Sequence, residues 1–227
     1  MSNAETAALS GVPSLDHPIF SESLRLIRQL PGTAAALAPL SPLQQEVFLR
    51  LIHSSGDPDL VADLVCPVTA CAAGLAALAA GAPILTDTVM AAAAVAPMAR
   101  RTFANQVRSV LDWAPEHAPA GSTRTAAGMA AALAGQGEPG VVLIGSAPTA
   151  LEVLLELVAS KAVPAPALVI GMPVGFVGVA QSKRHLAESG LVHIRLEGSK
   201  GGAGLVAAAC NALLRAAWLQ AASAPSS

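Results

Sequence analysis

Gly140-Val-Val-Leu-Ile-Gly145 and Pro166-Ala-Leu-Val-Ile-Gly171 decide the fold. Each is a short apolar run ending in glycine, with no polar residue to offer a solvent face. A strand that is apolar on both faces belongs in the centre of a parallel sheet, with helices covering it on either side. The strands proper are Gly140–Ile144 and Ala167–Ile170, and the runs Pro83–Leu85, Gln106–Leu111 and His193–Leu196 read as three more. A turn and a helical stretch follow each run, the last helix covering about 202–219. Alternation of this kind predicts right-handed crossovers. The expected fold is therefore three-layer α/β: a parallel sheet of about five strands, helices on both faces and a helical segment in front.

That leading segment has its own punctuation. Pro18 opens a helix whose apolar positions Ile19, Leu24, Ile27 and Leu30 keep roughly helical spacing. Ser41-Pro42 reads as an N-cap and first-turn proline, with Gln45 as the partner in a capping box. The helix that follows carries Val47, Leu51 and Ile52 and is expected to end at His53, before Ser54-Ser55-Gly56. Another helix should cover about 68–80 and stop at Gly81. Residues 1–16 and 223–227 read as disordered tails around a single domain, 17–222.

Composition narrows the function. Of the 227 residues 53% are hydrophobic, much of that alanine, while aromatics are 3% and tyrosine is absent. Alanine suits close-packed helices rather than sheets built on aromatic pairs. Charged residues are 12%, about half the usual share, which predicts apolar surface covered by self-association. A net charge of -2 with no basic excess argues against nucleic acid as a partner. The three cysteines, Cys66, Cys71 and Cys210, show neither metal nor redox spacing and are expected to be buried and reduced. The start, MSNAETAALSG, lacks the basic and apolar regions of a signal peptide. Leu64–Thr86 is free of charge and long enough to span a membrane, but Pro67, Gly74, Gly81 and Pro83 interrupt it. A buried helix and a buried strand fit that stretch better, and the expectation is a cytoplasmic protein with no membrane segment.

In open parallel sheets ligands bind beyond the carboxyl ends of the strands. The segments predicted to lie there are Asp87, Ser122-Thr123-Arg124, Ser146–Thr149, Gly171–Gly178 and Gly198–Gly202. In GMPVGFVG (171–178) only Gly175–Gly178 matches a dinucleotide fingerprint, with Glu197 placed as a ribose ligand would be. A turn permitting close backbone approach is the other reading. GSKGGAG (198–204) resembles an anion-cradling loop at a helix start, with Lys200 adding charge. Arg124 falls in the first turn of a helix, where its charge opposes the dipole; a ligand carboxylate or a solvated, paired arginine would each account for it. His53 sits where a helix meets a polar turn, and a catalytic and a structural role are both open there. Ser146 reads as a helix cap. No histidine pair has metal-ligand spacing, and no metal is expected.

RLIHSS (50–55), LTDTVMA (85–91), GSTRTAA (121–127), LIGSAPTAL (143–151), VIGMPVGFVGVAQSK (169–183) and GSKGGAGLVAAACNAL (198–213) occur in this order and spacing in precorrin-8X methylmutases, and the chain resembles that family over about residues 18–216. The resemblance implies a flavodoxin-like fold, a homodimer with its pocket near the interface, and no cofactor. It implies an isomerase of cobalamin biosynthesis. The reaction moves a methyl group from C11 to C12 of a corrin precursor, precorrin-8X or its cobalt form, giving hydrogenobyrinate or cobyrinate. The family's catalytic histidine falls on His53. Substrate contacts are expected at Ser23, Asp87, Thr123, Arg124, Ser146, Gly171, Gly175, Lys200, Gly201 and Gly202. The sequence departs from the family pattern at Ser122 and Ser146 (asparagine), Ser199 (arginine), Ala203 (serine) and Ala94 (glycine). These departures bear on substrate affinity more than on fold, so a corrinoid-binding paralogue with weak or no turnover is the alternative.

Overall fold

The computed structural model describes residues 15–135 and 140–223. Four helices come first: α1 (Pro18–Arg28), α2 (Thr33–Leu37), α3 (Pro42–Ser55) and α4 (Leu60–Asp63). A short strand β1 (Leu64–Val65) and helix α5 (Val68–Ala79) lead into the alternating part. There the order is β2 (Ile84–Thr86), α6 (Val89–Arg101), β3 (Val107–Ser109), α7 (Arg124–Gly135), β4 (Val141–Ile144) and α8 (Pro148–Ala159). It continues through β5 (Leu168–Gly171), α9 (Val179–Glu188) and β6 (His193–Leu196) to α10 (Ala203–Ser223).

The sheet has six strands in the order β1-β6-β5-β4-β2-β3, one more than the expected five. The added strand is β1, a two-residue edge that pairs antiparallel with β6; all other pairings are parallel. Alternate strand residues feed two cores. Ile84, Val141, Leu143, Leu168, Ile170 and Ile194 join α5, α6 and α10, and α3 packs on the outside of that layer. Leu85, Val142, Ile144 and Val169 join α7, α8 and α9. Small residues let these layers close. A Cβ at Gly74 would lie 2.4 Å from Leu168 Cδ2 and 3.0 Å from Leu213 Cδ1, so α5 fits between sheet and α10 only without a side chain there. The order in which strands are added reverses between β2 and β4, the point where ligands of such sheets gather.

Several boundaries shift. The capping-box partner of Ser41 is Gln44, not Gln45: its Oε1 accepts from the Ser41 N–H at 2.9 Å, while Gln45 donates to the carbonyls of Leu37 and Leu40. Helix α3 runs two residues past His53 and stops at Gly56, whose φ of 68° closes the C-cap. Most of the expected tails lie outside the described residues. Leu15, however, is buried and Asp16 pairs with Arg215, so the packed chain begins before residue 17, while α10 runs on to an exposed Ser223. All three thiols are buried and free, and those of Cys66 and Cys71 touch at 3.1 Å. The charge-free stretch divides into β1, α5 and β2 as a buried segment. Among the described residues the helix long and apolar enough to cross a membrane is α10, and it is the mostly buried core helix.

Candidate active site

His53 is held by α1. Pro18 at the first helical position and the His17 cap, which accepts from the Ile19 N–H at 3.2 Å, set the start of that helix. Phe20 and Ser23, one turn apart, then face α3. Ser23 Oγ lies 2.7 Å from His53 Nδ1, and the Phe20 ring meets the imidazole edge to face at 5.1 Å. With Nδ1 engaged, Nε2 is the nitrogen left to meet a ligand. Partial burial, and then the positive charge of Arg50 one turn earlier, hold the imidazole below its ordinary proton affinity. The free protein therefore carries His53 mainly neutral near pH 7.

Lys200 belongs to the same end of the sheet. Its amine pairs with Asp57 at 2.8 Å, tying the turn after α3 to the loop between β6 and α10. That loop is shaped by close approach. A Cβ at Gly201 would sit 2.0 Å from the Met172 carbonyl oxygen, which accepts from the Gly202 N–H at 2.9 Å. Gly202 (φ 135°) and Gly175 (φ 132°) occupy backbone regions that favour glycine, and the Gly175 N–H donates to Ser199. Beneath the loop lies Lys183, fully buried, its Nζ donating to the carbonyls of Gly198 (2.8 Å) and Lys200 (2.7 Å). Burial lowers its pKa to about 8, against the opposing pull of Glu197 and Asp63.

A second group gathers at the switch point. Asp87 is fully buried, and its Oδ2 accepts from the amides of Gly145 (3.1 Å), Ser146 (2.6 Å) and Ala147 (2.8 Å). Three amides in succession make an anion cradle before α8, and the chain fills it with its own carboxylate. Burial raises the Asp87 pKa, and the three amides work against that rise. Asp87 therefore supports the site from below. It also does the capping expected of Ser146; the N-cap residue of α8 is Ala147, with no side-chain cap of its own. Gly171 is likewise buried, with Leu186 packed where a side chain would stand. At the surface, Thr123 Oγ1 accepts from the Ala126 N–H (3.1 Å) and meets Thr149 Oγ1 at 2.8 Å, joining the first turns of α7 and α8. Arg124 is exposed and donates Nε to the Pro115 carbonyl at 2.9 Å. Its two terminal nitrogens meet no acceptor among the described residues.

The structure thus brings His53, Ser23 and Lys200 to one end of the strand edge and Thr123, Arg124 and Ser146 toward the other. Sequence reasoning missed Phe20, Arg50, Asp57 and Lys183, while Thr149 lay within the segment it singled out. Lys183 had a signal: with Val179 and Leu186 it falls on the buried stripe of α9. A hollow of about 580 Å³ walled by Glu152, Glu156, His185 and Glu188 lies between the carboxyl halves of α8 and α9. These crossover helices run back along the sheet, so that hollow sits toward the amino ends of the strands, away from His53.

Fold and site define an α/β protein with a histidine, two exposed cations and glycine-shaped loops along one sheet edge. The family description Precorrin-8X methylmutase matches residues 18–216. The precorrin-8X methylmutase of Pseudomonas aeruginosa is 42% identical over 200 residues, covering 86% of this chain and 93% of that protein. The cobalt-precorrin-8 methylmutase of Synechocystis sp. is 36% identical over 218 residues, covering 90% and 97%. The crystal structure of the Thermus thermophilus precorrin-8X methyl mutase superposes with a TM-score of 0.77 at 38% identity, covering 92% of this chain and 98% of that one. The chain belongs to the precorrin-8X methylmutase family, whose members are isomerases of cobalamin biosynthesis.

Proposed function

We propose that this protein catalyses the migration of a methyl group from C11 to C12 of precorrin-8X or cobalt-precorrin-8, with His53 as the proton donor. The observation that carries the assignment is the His53 environment: Nδ1 fixed by Ser23 at 2.7 Å, the ring seated on Phe20, and Nε2 left for the ligand. In the rearrangement the bond from the methyl carbon to C11 breaks and the bond to C12 forms within one molecule. A proton or hydrogen bond from His53 to the macrocycle favours the rearranged double-bond arrangement. Because the product is an isomer of the substrate, any proton lent is recovered at the end. Transfer of this kind contributes about 100- to 10,000-fold in rate.

The substrate is a flat ring fringed with carboxylates, and Arg124, Lys200 and Thr123 are groups suited to that fringe, beside loops that close approach at Gly175, Gly201 and Gly202 shapes. The strand winding, with β2 flanked by β3 on one side and β4, β5 and β6 on the other, supports the flavodoxin-like reading. A cytoplasmic homodimer is part of the proposal. Its support is apolar surface near the site: Phe176 and Val177 are 93% and 90% exposed, with Ile19 at 72% and Met90 at 67%. The serines at 122, 146 and 199, where the family carries asparagine, asparagine and arginine, favour one other reading, a corrinoid-binding protein with little turnover.

Incubation with precorrin-8 and with its cobalt form, followed by absorbance, separates the two, since the rearrangement alters conjugation. Wild type should convert one of them. His53→Ala should fold, bind product and lose turnover by roughly 100-fold or more. Conversion by the variant at the wild-type rate removes His53 from the mechanism; tight product binding by a wild type that converts neither substrate selects the binding protein.

A further inference from the structure

Arg50 has a setting that none of the roles above explains. Its guanidinium carbon stands 4.4 Å over the Phe20 ring, the same ring that meets His53 at 5.1 Å, so Phe20 bridges the cation and the imidazole. The two carboxylates nearby are bonded elsewhere. Arg215 holds Glu46 at 2.6 Å and takes both oxygens of Asp16, and Arg215 itself lies 5.7 Å from the Phe20 ring. Arg50 feels those carboxylates through space but has no hydrogen-bond acceptor among the described residues. Its five donors are thus arranged in a planar fork, partly desolvated, one helical turn from His53. That is the chemistry of a carboxylate receptor.

We infer that Arg50 is a further carboxylate anchor, which grips an acidic side chain of the ring substrate next to His53. The inference rests on the proposed corrin-precursor reading and adds a coupling to it. With no ligand bound, the Arg50 charge disfavours a proton on His53. A substrate carboxylate on Arg50 offsets that charge, so the imidazole gains proton affinity when its proton is needed. The other charged groups around the pair are Asp16 before α1, Glu46 on α3 and Arg215 on α10. Arg215 pairs with both Asp16 and Glu46. Glu22 and Arg25 on α1 also pair with each other.

The test uses full-length protein, hydrogenobyrinate as the free acid and as its methyl ester, and the variants Arg50→Gln and Arg50→Lys. Arg50→Gln should bind the acid roughly 10- to 100-fold more weakly, the size of a lost charge-assisted bond. Its affinity for the ester should match wild type, and Arg50→Lys should recover part of the loss. By NMR, the titration midpoint of His53 in unliganded protein should be higher in Arg50→Gln than in wild type. Acid should raise the wild-type midpoint more than ester does. Equal losses for acid and ester, or no loss at all, overturn the anchor. If the variants do not fold, the wild-type midpoints decide alone: equal values with acid and ester overturn it. Wild type that binds neither form defeats the corrin reading itself, a different outcome from wild type that binds normally beside an Arg50→Gln that does too.

Discussion

Replacing Lys183 by methionine should change how stability depends on pH, on top of a constant change in stability itself. The amine is fully buried, bonded to two carbonyls and to no carboxylate, and its pKa is lowered from 10.5 to about 8 by burial. A base whose folded pKa lies below its unfolded pKa opposes folding at low pH. Between about 8 and 10.5 the unfolded chain holds a proton that the folded chain has released, so stability rises with pH there. A gap of this size corresponds to roughly 3 kcal/mol at neutral pH, of which about 2.5 kcal/mol should vanish between pH 7 and 10. The loss of two hydrogen bonds in Lys183→Met is a constant offset, about 1–3 kcal/mol per carbonyl left without a donor. The chain suits the measurement because it has no tyrosine and only three lysines to titrate in that range. Cys210, pushed up to about 12 by burial, acts in the opposite direction but is common to both proteins. Urea unfolding of wild type and variant at pH 7 and 10 gives the difference directly. Wild type should gain about 2 to 3 kcal/mol on the variant over that interval. A difference that stays flat would refute the claim that Lys183 is buried as a cation.

Asp87→Ala removes the acceptor from three amides and should cost about 3 kcal/mol or more, lowering the thermal midpoint by roughly 6–12 °C; Asp87→Asn, which keeps one acceptor oxygen, should cost less. A normal melting curve for the alanine variant would mean the amides find other partners. Sedimentation at micromolar concentration should show a dimer, and a lone 22.6 kDa species would count against one.

The parallel strands were legible because burial on both faces removes polar residues from them, leaving runs such as Val141–Ile144 and Leu168–Gly171 that few other structures explain. β1 was not legible. Two residues on an antiparallel edge show no period, and Leu64–Val65 owes its strand form to β6. The capping box was legible in full: with Ser41 as N-cap and Pro42 as the first helical residue, the third is Gln44, and the expected partner Gln45 lay one position too far. His53 could be placed at a helix end from its neighbours, whereas its contact with Ser23 joins residues 30 apart. Arg50 was hidden for a related reason: an arginine on an amphipathic helix reads as a solvated face until Phe20 is seen beneath it. The bonding of Asp87 was not legible either, because it depends on depth. The sequence places it at a strand end, and the fold puts its carboxylate under the α8 amides rather than beside them.

Strand order constrains what the edge can hold. Lys200 follows β6 on one flank of the sheet, whereas Arg124 opens α7, whose start lies against the first turn of α8 beyond β4. Between them, at the switch point, a dinucleotide would seek amides for its phosphates, but those of Gly145, Ser146 and Ala147 are already spent on Asp87. In the glycine loop at 171–178 the Gly175 N–H is given to Ser199 rather than left for a phosphate. A ligand that uses both cations must carry acids at separate points of its perimeter and need no anion pocket at its centre. A carboxylate-fringed macrocycle meets those conditions and a nucleotide does not, so the edge argues for the same substrate class as the histidine at its end.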